Sequence, residues 1–323
     1  SFTLTAIPLF ILMAEILLES GLSQRVFRGL SVMVRRLPGG LMQTSIAGCA
    51  LFSAVSGSSV ACAAAIGTVS LPQLRARGYD LPLATGALAA GGTLGILIPP
   101  SIAMIVYGTF AQASVLKLFM AGVIPGLMLT ALFMIYVAAR AWLNPALAPL
   151  EAKPAPGAWR AALQDVLPFV VLVTLLMASL YSGVVTPTEA AALGCCLAWG
   201  VARVWGDMSF AALRRALRKT VIATGSILFV VYAAFLFSYA IGVAGTAADI
   251  AKWIADAGVS RAGFLAFVII ALTIIGCFVD SMGMMVIAVP ILLPSLALYD
   301  IDVVWFGILV VLLVELGQIT PPM

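Results

Sequence analysis

The stretch "GGTLGILIPPSIAMIVYG", residues 91–108, decides how this chain folds, because it interrupts an apolar run with four glycines and two adjacent prolines. Proline lacks a backbone N–H and clashes with the preceding turn, so continuous helical hydrogen bonding stops at Pro99 and Pro100. Unwound backbone at membrane depth survives only where it is buried in protein or lines a polar cavity. We therefore predict a broken helix over 83–112 that offers freed carbonyls and amides to a ligand.

Composition places the whole chain in a lipid bilayer. It is 63% hydrophobic and 9% charged, with a mean hydropathy of +1.17, whereas soluble domains are roughly 45–50% apolar and about 25% charged. Apolar stretches recur at about the 20-residue length of a membrane-spanning helix, which predicts an all-α polytopic membrane protein. The chain has no histidine, and its five cysteines lack metal-ligand spacing, so we expect neither a transition-metal site nor a disulfide framework.

Two segments 222 residues apart share one pattern. Pro72 corresponds to Pro294 and Gly95 to Gly317, and the Pro-Pro pair at 99–100 corresponds to that at 321–322. Each unit runs from an amphipathic linker through two apolar arms with a small polar interruption to a helix broken by Pro-Pro. Five predicted membrane crossings lie between the two polar interruptions. Because this number is odd, the second unit has the opposite orientation in the membrane. Inverted repeats with broken helices are typical of secondary transporters, whose binding sites lie between the repeats.

The pattern also predicts boundaries and orientation. The two arms of each unit form a re-entrant helical hairpin. The predicted segments are a first unit 1–140 (scaffold helix 1–37, hairpin one 41–74, broken helix 83–112, helix 118–139), a cytoplasmic linker 141–165, connecting helices and an interfacial helix 166–220, and a second unit 221–323 (hairpin two 262–298, broken helix 303–323).

With this topology 14 of the 17 Lys and Arg residues fall on one side of the membrane, which is therefore cytoplasmic. Both ends lie inside apolar segments, so we expect a fragment of a longer protein.

Hairpin one carries "SGSS", residues 56–59, at its turn. Small polar residues let hydroxyl and backbone oxygens converge on a cation or a polar solute. The alternative is that they only allow close helix packing, which is the commoner role of Gly and Ser in membrane helices. Their pairing with the broken helix at 91–100 favours the ligand site.

Hairpin two carries "FVDSMGMM", residues 278–285, at its turn. Asp280 is an ionisable group in a run expected deep in the bilayer, where such groups are functional or paired. With Ser281 it forms a candidate site tip, and the alternative is a helix cap at the start of the second arm. In the following "VELGQITPP", Thr320 offers a hydroxyl and a freed carbonyl to a hard cation, and Glu315 either joins the site or pairs locally.

Two other motifs favour structural roles. "VVTPTEAAALG", residues 184–194, predicts a helix start with Thr186 as N-cap and Glu189 as the capping-box acid. "SFAALRRALRKT", residues 209–220, predicts a basic amphipathic helix at the cytoplasmic interface.

Taken together, these motifs resemble the large membrane (M) subunit of the TRAP (tripartite ATP-independent periplasmic) transporters. The resemblance runs through "LFSAVSGSSVACAAAIGTVSLPQLRARGYD", "GGTLGILIPPSIAMIVYG", "LFMAGVIPG", "VVTPTEAAALG", "VDSMGMMVIAVPILLP" and "VVWFGILVVLLVELGQITPP". It implies an elevator-type secondary transporter of the bacterial or archaeal inner membrane, driven by Na⁺ and needing no other cofactor. The implied partners are a periplasmic binding protein that delivers an organic acid and a small four-helix membrane subunit, separate or fused.

The resemblance also assigns residues to sites. One implied Na⁺ site comprises Ser56, Gly57, Ser58, Ser59, Gly92, Thr93 and Gly95. Its inverted partner comprises Asp280, Ser281, Gly283, Gly317, Thr320 and Pro321. The substrate is expected between the hairpin tips, at Ser58, Ser59, Pro99, Pro100, Asp280 and Ser281. The sequence departs from the common family pattern at Cys62 and Val279, neither of which belongs to these sets.

Three other functions fit less well. An intramembrane serine hydrolase lacks the histidine that a Ser-His pair needs, and a channel has no need of an inverted pair of closed hairpins. A stand-alone carboxylate carrier without a binding protein is the closest alternative. Proton coupling through Asp280 remains open beside Na⁺ coupling.

Overall fold

The computed structural model describes residues 2–149 and 157–321, and regular structure in these ranges is helical. The predicted linker 141–165 lies partly outside the described residues. Besides two short 3₁₀ helices at Phe2–Thr5 and Pro145–Leu147, the described ranges contain these α-helices: α1 (Ala6–Glu19), α2 (Leu22–Val34), α3 (Leu41–Ser56), α4 (Ser59–Ala76), α5 (Leu81–Leu97), α6 (Ile102–Phe110), α7 (Val115–Leu143), α8 (Ala158–Tyr181), α9 (Pro187–Trp205), α10 (Phe210–Ala244), α11 (Thr246–Asp256), α12 (Arg261–Gly276), α13 (Ser281–Leu298) and α14 (Val303–Ile319).

Several of these helices are suited to a bilayer. In the described residues, α7, α8, α10 and α13 are long and apolar enough to span a membrane, and two bent pairs, α1 with α2 and α5 with α6, raise the number to six. Large apolar side chains such as Ile124, Leu132 and Phe229 are exposed on α7 and α10. An apolar outer surface is stable in lipid, so the all-α membrane fold predicted from composition is confirmed.

The predicted single scaffold helix 1–37 is wrong, because α1 and α2 meet at a bend of 69°. Gly21 lies at the bend with φ +74°, a left-handed conformation that glycine adopts without steric cost. After the bend, Arg25 and Arg28 of α2 both pair with Asp165 of α8, at 3.1 and 2.9 Å. The chain turns because α2 is amphipathic and packs against α8 instead of continuing the apolar path of α1.

The basic segment 209–220 is not a separate interfacial helix. It forms the first turns of α10, which continues without interruption for 35 residues, about 50 Å at 1.5 Å per residue. That length exceeds the roughly 30 Å hydrocarbon core of a bilayer, so the helix extends well beyond it. Arg215 and Lys219 pair with Glu19 at the end of α1, at 2.6 and 2.7 Å.

The start of α9 has the capping box that the sequence predicts. The Thr186 hydroxyl accepts a hydrogen bond from Glu189 N at 3.3 Å, and Thr186 N donates to Glu189 Oε2 at 2.7 Å. Two backbone amides that the helix itself leaves unpaired are thereby satisfied.

The repeated pattern appears in the helix boundaries. Helices α13 and α14 begin and end 222 residues after α4 and α5, respectively. The residues that follow α5 and α14, Ile98 and Thr320, both leave the helix in an extended conformation, with ψ of 122° and 128°. The same boundary signals, an N-cap at the start and Pro-Pro after the end, therefore operate in both units.

The helices pack in two neighbouring groups. In one, α1 lies against α9 and α10, while α2 packs on α8. In the other, α5 packs against α3, α4, α7 and α14, and α14 also packs against α12 and α13. The second group contains the hairpin formed by α3 and α4, here called hairpin one, and that formed by α12 and α13, called hairpin two.

Candidate ligand-binding site

The tip of hairpin one is a tight turn between α3 and α4. Gly57 has φ +61°, in the left-handed region, and Ser58 is extended and caps α4 by accepting from Ala61 N at 3.4 Å. The Ser56 hydroxyl donates to the Ser58 carbonyl at 3.2 Å. The side chains of Ser56 and Ser58 therefore stabilise the turn itself, while Ser59 begins α4 and is half-buried.

The tip is held against the break of the first broken helix. Helix α5 ends at Leu97 and α6 begins at Ile102, with a 44° bend between them. Ile102 N donates a hydrogen bond to Gly57 O at 3.3 Å. Pro99 and Pro100, between the two helices, are buried. The interrupted backbone thus lies inside protein, as unwound backbone in a membrane must.

Glycine permits the close approach of α5 to the tip. A Cβ on Gly95 would lie 2.6 Å from Ser58 O and 2.8 Å from Ser59 Cα, and one on Gly92 would lie 2.7 Å from Ala63 Cβ. Thr93 is buried between them, and its hydroxyl donates to Ala90 O at 2.6 Å. Of the seven residues that the resemblance assigns to the first Na⁺ site, the structure brings Ser58 and Ser59 against Gly92 and Gly95, with Thr93 between these glycines and its hydroxyl donating within its own helix. Ser56 and Gly57 lie on the other side of the turn, where Gly57 contacts the helix break.

The tip of hairpin two is built differently. Asp280 is exposed, and its Oδ2 caps α13 by accepting from Met282 N at 3.1 Å. This is the capping role that the sequence left as the alternative. The depth of Asp280 in the bilayer stays a prediction. Gly283 lies in the first turn of α13, where a Cβ would come 2.8 Å from Asp280 Oδ1.

The second broken helix contacts the first arm of hairpin two, near the end of α12, and not its tip. A Cβ on Gly317 would lie 2.6 Å from Gly276 Cα, at the end of α12. Its counterpart Gly95 instead contacts the tip of its own hairpin. The Thr320 hydroxyl donates to Leu316 O at 2.6 Å. The residues assigned to the second Na⁺ site therefore lie on two elements, three at the start of α13 and three at the end of α14, and Gly317 packs against the first arm instead of the tip.

One pocket collects residues from both units. Its volume is about 460 Å³, and its lining comes from hairpin one, α5, the tip of hairpin two and the end of α14. The lining residues are Ser59, Val60, Ala63, Ala89, Gly92, Thr93, Asp280, Gln318 and Ile319. A larger pocket of about 660 Å³ lies between α3, α5 and α7, but it is mainly apolar and contains neither tip.

Of the expected substrate residues, Ser59 and Asp280 line this pocket, whereas Ser58, Pro99, Pro100 and Ser281 do not. Gln318 was missed by sequence reasoning, although a polar side chain in the apolar run of "VELGQITPP" was a usable signal. The lining contains no Lys or Arg among the described residues. The N-termini of α4 and α13 lie at this pocket, beside Ser59 and Asp280, so the partial positive charge of two helix ends faces it together with the Asp280 carboxylate.

Glu315 lies next to this pocket and is 2% exposed. The Ser59 hydroxyl donates a hydrogen bond to Glu315 Oε1, joining α4 of the first unit to α14 of the second. The sequence left two roles open for Glu315, either a part in the binding site or a pairing with a nearby residue. The structure instead shows a contact with a residue 256 positions away.

Relatives of known name match almost the whole chain. It is 35% identical over 324 residues to the C4-dicarboxylate TRAP transporter large permease protein DctM of Pseudomonas aeruginosa, covering 99% of this chain and 75% of that protein. It is 32% identical over 331 residues to the isethionate TRAP transporter permease protein DctMQ of Oleidesulfovibrio alaskensis, covering all of this chain and 51% of that protein. Both relatives are named as permeases.

A solved structure shares the fold. The crystal structure of the Alcanivorax borkumensis YdaH transporter superposes with a TM-score of 0.64 at 15% identity, covering 99% of this chain and 73% of that one. At this identity the likeness concerns the fold alone.

The model of the family described as "Tripartite ATP-independent periplasmic transporter, DctM component" matches residues 1–323. The chain therefore belongs to the DctM family of TRAP large permeases, and it is an inner-membrane transport protein and not an enzyme.

Proposed function

We propose that this chain is the transport subunit of a Na⁺-coupled secondary transporter that imports an organic acid. The observation that carries the proposal is the pocket of about 460 Å³, which is lined by both hairpin tips and both broken helices. A site shared between two repeated units can change its access when one group of helices moves against the other.

The pocket offers an organic acid polar groups but no cationic side chain among the described residues. Ser58 and Asp280 each cap one amide at the start of α4 and α13, so the other amides of these two helix ends are the groups proposed to hold the anion. The named relatives handle a C4-dicarboxylate and isethionate, both organic acids. The substrate class proposed here is therefore a small organic acid, bound by hydroxyls and backbone amides.

Sodium is the proposed coupling ion, with no further cofactor. The first site, at 56–59 with Gly92, Thr93 and Gly95, offers hydroxyl and carbonyl oxygens, which a hard cation prefers. The second site uses Asp280, Ser281, Gly283, Gly317, Thr320 and Pro321 in the same way. Support comes from the two helix breaks, since unwound segments free carbonyl oxygens that coordinate Na⁺ in transporters.

The proposed motion is of the elevator type. The moving part comprises the two hairpins and the two broken helices, and α1, α2, α8, α9 and α10 form the scaffold. Packing is more extensive within each group than between the groups, which supports this division; the main contacts between the groups are α2 against α3 and α10 against α13. The common offset of 222 residues in the boundaries of α4 with α13 and α5 with α14 supports a repeat. Its inverted orientation is proposed from the odd number of predicted crossings between the two units.

The proposed partners follow from the tripartite family. A periplasmic binding protein delivers the acid, and a small four-helix membrane subunit completes the membrane part, either separate or fused. A stand-alone carrier of the same architecture is the competing function, and it differs in needing no binding protein.

Uptake of labelled organic acids into proteoliposomes tests the proposal. The vesicles hold the complete membrane protein and carry an imposed Na⁺ gradient, with and without the binding protein. We expect uptake only when both the gradient and the binding protein are present. Uptake at the same rate with and without the binding protein would establish the stand-alone carrier. Uptake driven by a pH gradient at zero Na⁺ would refute Na⁺ coupling.

Two variants then test the assigned sites. Ser58→Ala and Asp280→Ala are expected to shift the Na⁺ concentration for half-maximal uptake. Ser226→Ala is the matched control, because Ser226 lies exposed on α10 and its hydroxyl bonds only its own helix, at Ile222 O. If the Na⁺ concentration for half-maximal uptake is the same in all three variants, Ser58 and Asp280 are not part of the Na⁺ sites.

A further inference from the structure

Glu315 is a buried carboxyl group with half of its hydrogen-bonding capacity unused. Oε1 accepts from the Ser59 hydroxyl. Oε2 is buried and has no hydrogen-bond partner among residues 2–149 and 157–321. The side chain is 2% exposed, so water does not replace the missing partner at the surface.

A carboxylate in this position requires compensation. Burial inside a membrane protein removes water from the charge, and one hydroxyl does not restore the lost solvation. The other titratable group beside it is the Cys62 thiol, which carries no positive charge. Among the described residues, the ion pairs of Asp165, Glu15 and Glu19 lie elsewhere in the structure.

We propose that Glu315 and Ser59 are two ligands of a coupling Na⁺ ion that joins the second unit to the tip of hairpin one. The inference rests on the proposed Na⁺ coupling and adds to the first site a ligand from the opposite unit. Carboxylate and hydroxyl oxygens are hard ligands of the kind that Na⁺ prefers. The ion supplies the positive charge that Glu315 lacks, and Oε2 supplies a free lone pair for it.

This site links the ion to the substrate. Ser59 both contacts Glu315 and lines the pocket of about 460 Å³. An ion at this point holds α14 and α4 together across the pocket, and its loss leaves an unpaired charge between them. Substrate affinity therefore depends on Na⁺ through Ser59, without direct contact between the ion and the acid.

The test compares Glu315→Gln with Glu15→Gln in the complete membrane protein. Glutamine keeps the shape of the side chain and removes its charge. Glu15 is the matched control, since it is also a carboxyl on an apolar helix with one oxygen lacking a hydrogen bond, but it lies on α1 and pairs with Lys219 at 3.8 Å. Both variants are assayed by the midpoint of thermal unfolding against Na⁺ concentration and by uptake into proteoliposomes.

We expect Glu315→Gln to raise the Na⁺ concentration for half-maximal uptake about tenfold or more, the equivalent of one lost charged ligand. Its unfolding midpoint is expected to rise less with Na⁺ than that of the wild type, because only the second Na⁺ site remains. In Na⁺-free buffer the midpoint is expected at or above the wild-type value, because the uncompensated charge is gone. Glu15→Gln is expected to keep the wild-type Na⁺ response. A structural role alone would lower the Glu315→Gln midpoint at every Na⁺ concentration and leave its Na⁺ response intact.

Three results would overturn the inference. A wild-type Na⁺ response in Glu315→Gln would exclude Glu315 as a ligand and leave the proposed function standing. Proton-driven uptake at zero Na⁺ that disappears in this variant would assign a proton to Glu315 instead of Na⁺. A wild-type protein without Na⁺ dependence would refute the proposed coupling and this site together.

If Glu315→Gln does not fold, Ser59→Ala decides the question. It removes the neutral ligand, so the shift in Na⁺ concentration is expected in the same direction and smaller. An unchanged Na⁺ response in folded Ser59→Ala would then count against the site.

Discussion

Gly95 of α5 lies directly against Ser58 at the tip of hairpin one, so closely that a Cβ on Gly95 would come 2.6 Å from the Ser58 carbonyl oxygen. The neighbouring Ile102 N holds the same tip through Gly57 O at 3.3 Å. The tip is therefore positioned by backbone contacts, which leave little room for adjustment.

Gly95→Ala is expected to push the tip away from the break. Overpacking of this kind costs about 1–3 kcal/mol, and we expect a lower midpoint of thermal unfolding together with roughly tenfold slower uptake. Gly86→Ala is the control on the same helix, since nothing lies within 4 Å of its added Cβ. There the gain in helix propensity, up to about 1 kcal/mol, makes the change neutral or stabilising. Similar behaviour of the two variants would refute the tight contact.

Gly317→Ala tests the corresponding contact in the second unit. Its Cβ would lie 2.6 Å from Gly276 Cα, so we expect α14 and α12 to separate, with a similar loss of about 1–3 kcal/mol. Gly242→Ala on α10, with nothing within 4 Å, is the comparison. The measurement is again thermal unfolding, and an unchanged midpoint in Gly317→Ala would contradict the close packing of the two glycines.

Asp280 has a capping role in the structure and an ion-binding role in the proposal, and two substitutions separate them. Asn caps helices about as well as Asp, so Asp280→Asn is expected to keep the unfolding midpoint, while Asp280→Ala costs about 1 kcal/mol. If the charge also binds Na⁺, both variants shift the Na⁺ dependence of uptake. A shift seen only in the Ala variant would mean that Asp280 acts through the cap alone.

The pairing of Glu19 with Arg215 and Lys219 ties α1 to α10 within the proposed scaffold. The two basic side chains are more than half exposed, so the pairs are screened by water and Glu19→Gln is expected to cost about 1 kcal/mol or less. Thermal unfolding at low and high salt measures this loss, which should shrink as salt rises. A change in the Na⁺ dependence of uptake, compared with Glu15→Gln, would contradict a purely scaffold role.

Local signals in the sequence were reliable where a short segment determines its own conformation. Pro99 and Pro100 end α5 because proline cannot donate the next helical hydrogen bond. Thr186 and Glu189 start α9 because their side chains satisfy its first amides. The same reasoning failed for residues 1–37, where the 69° bend follows from the packing of α2 on α8, a partner more than 100 residues away.

An all-helical membrane protein with two hairpin turns, broken helices and a 222-residue offset can be predicted from the sequence, because apolar length, proline and glycine act over a few residues. Which polar groups meet becomes visible only in the folded structure. It placed Asp280 in an exposed cap and buried Glu315 against Ser59, 256 positions away. No local pattern encodes such a contact, since it depends on how α4 and α14 pack across the two units. The free energy of a buried charge is set by that packing and not by its neighbours in the chain.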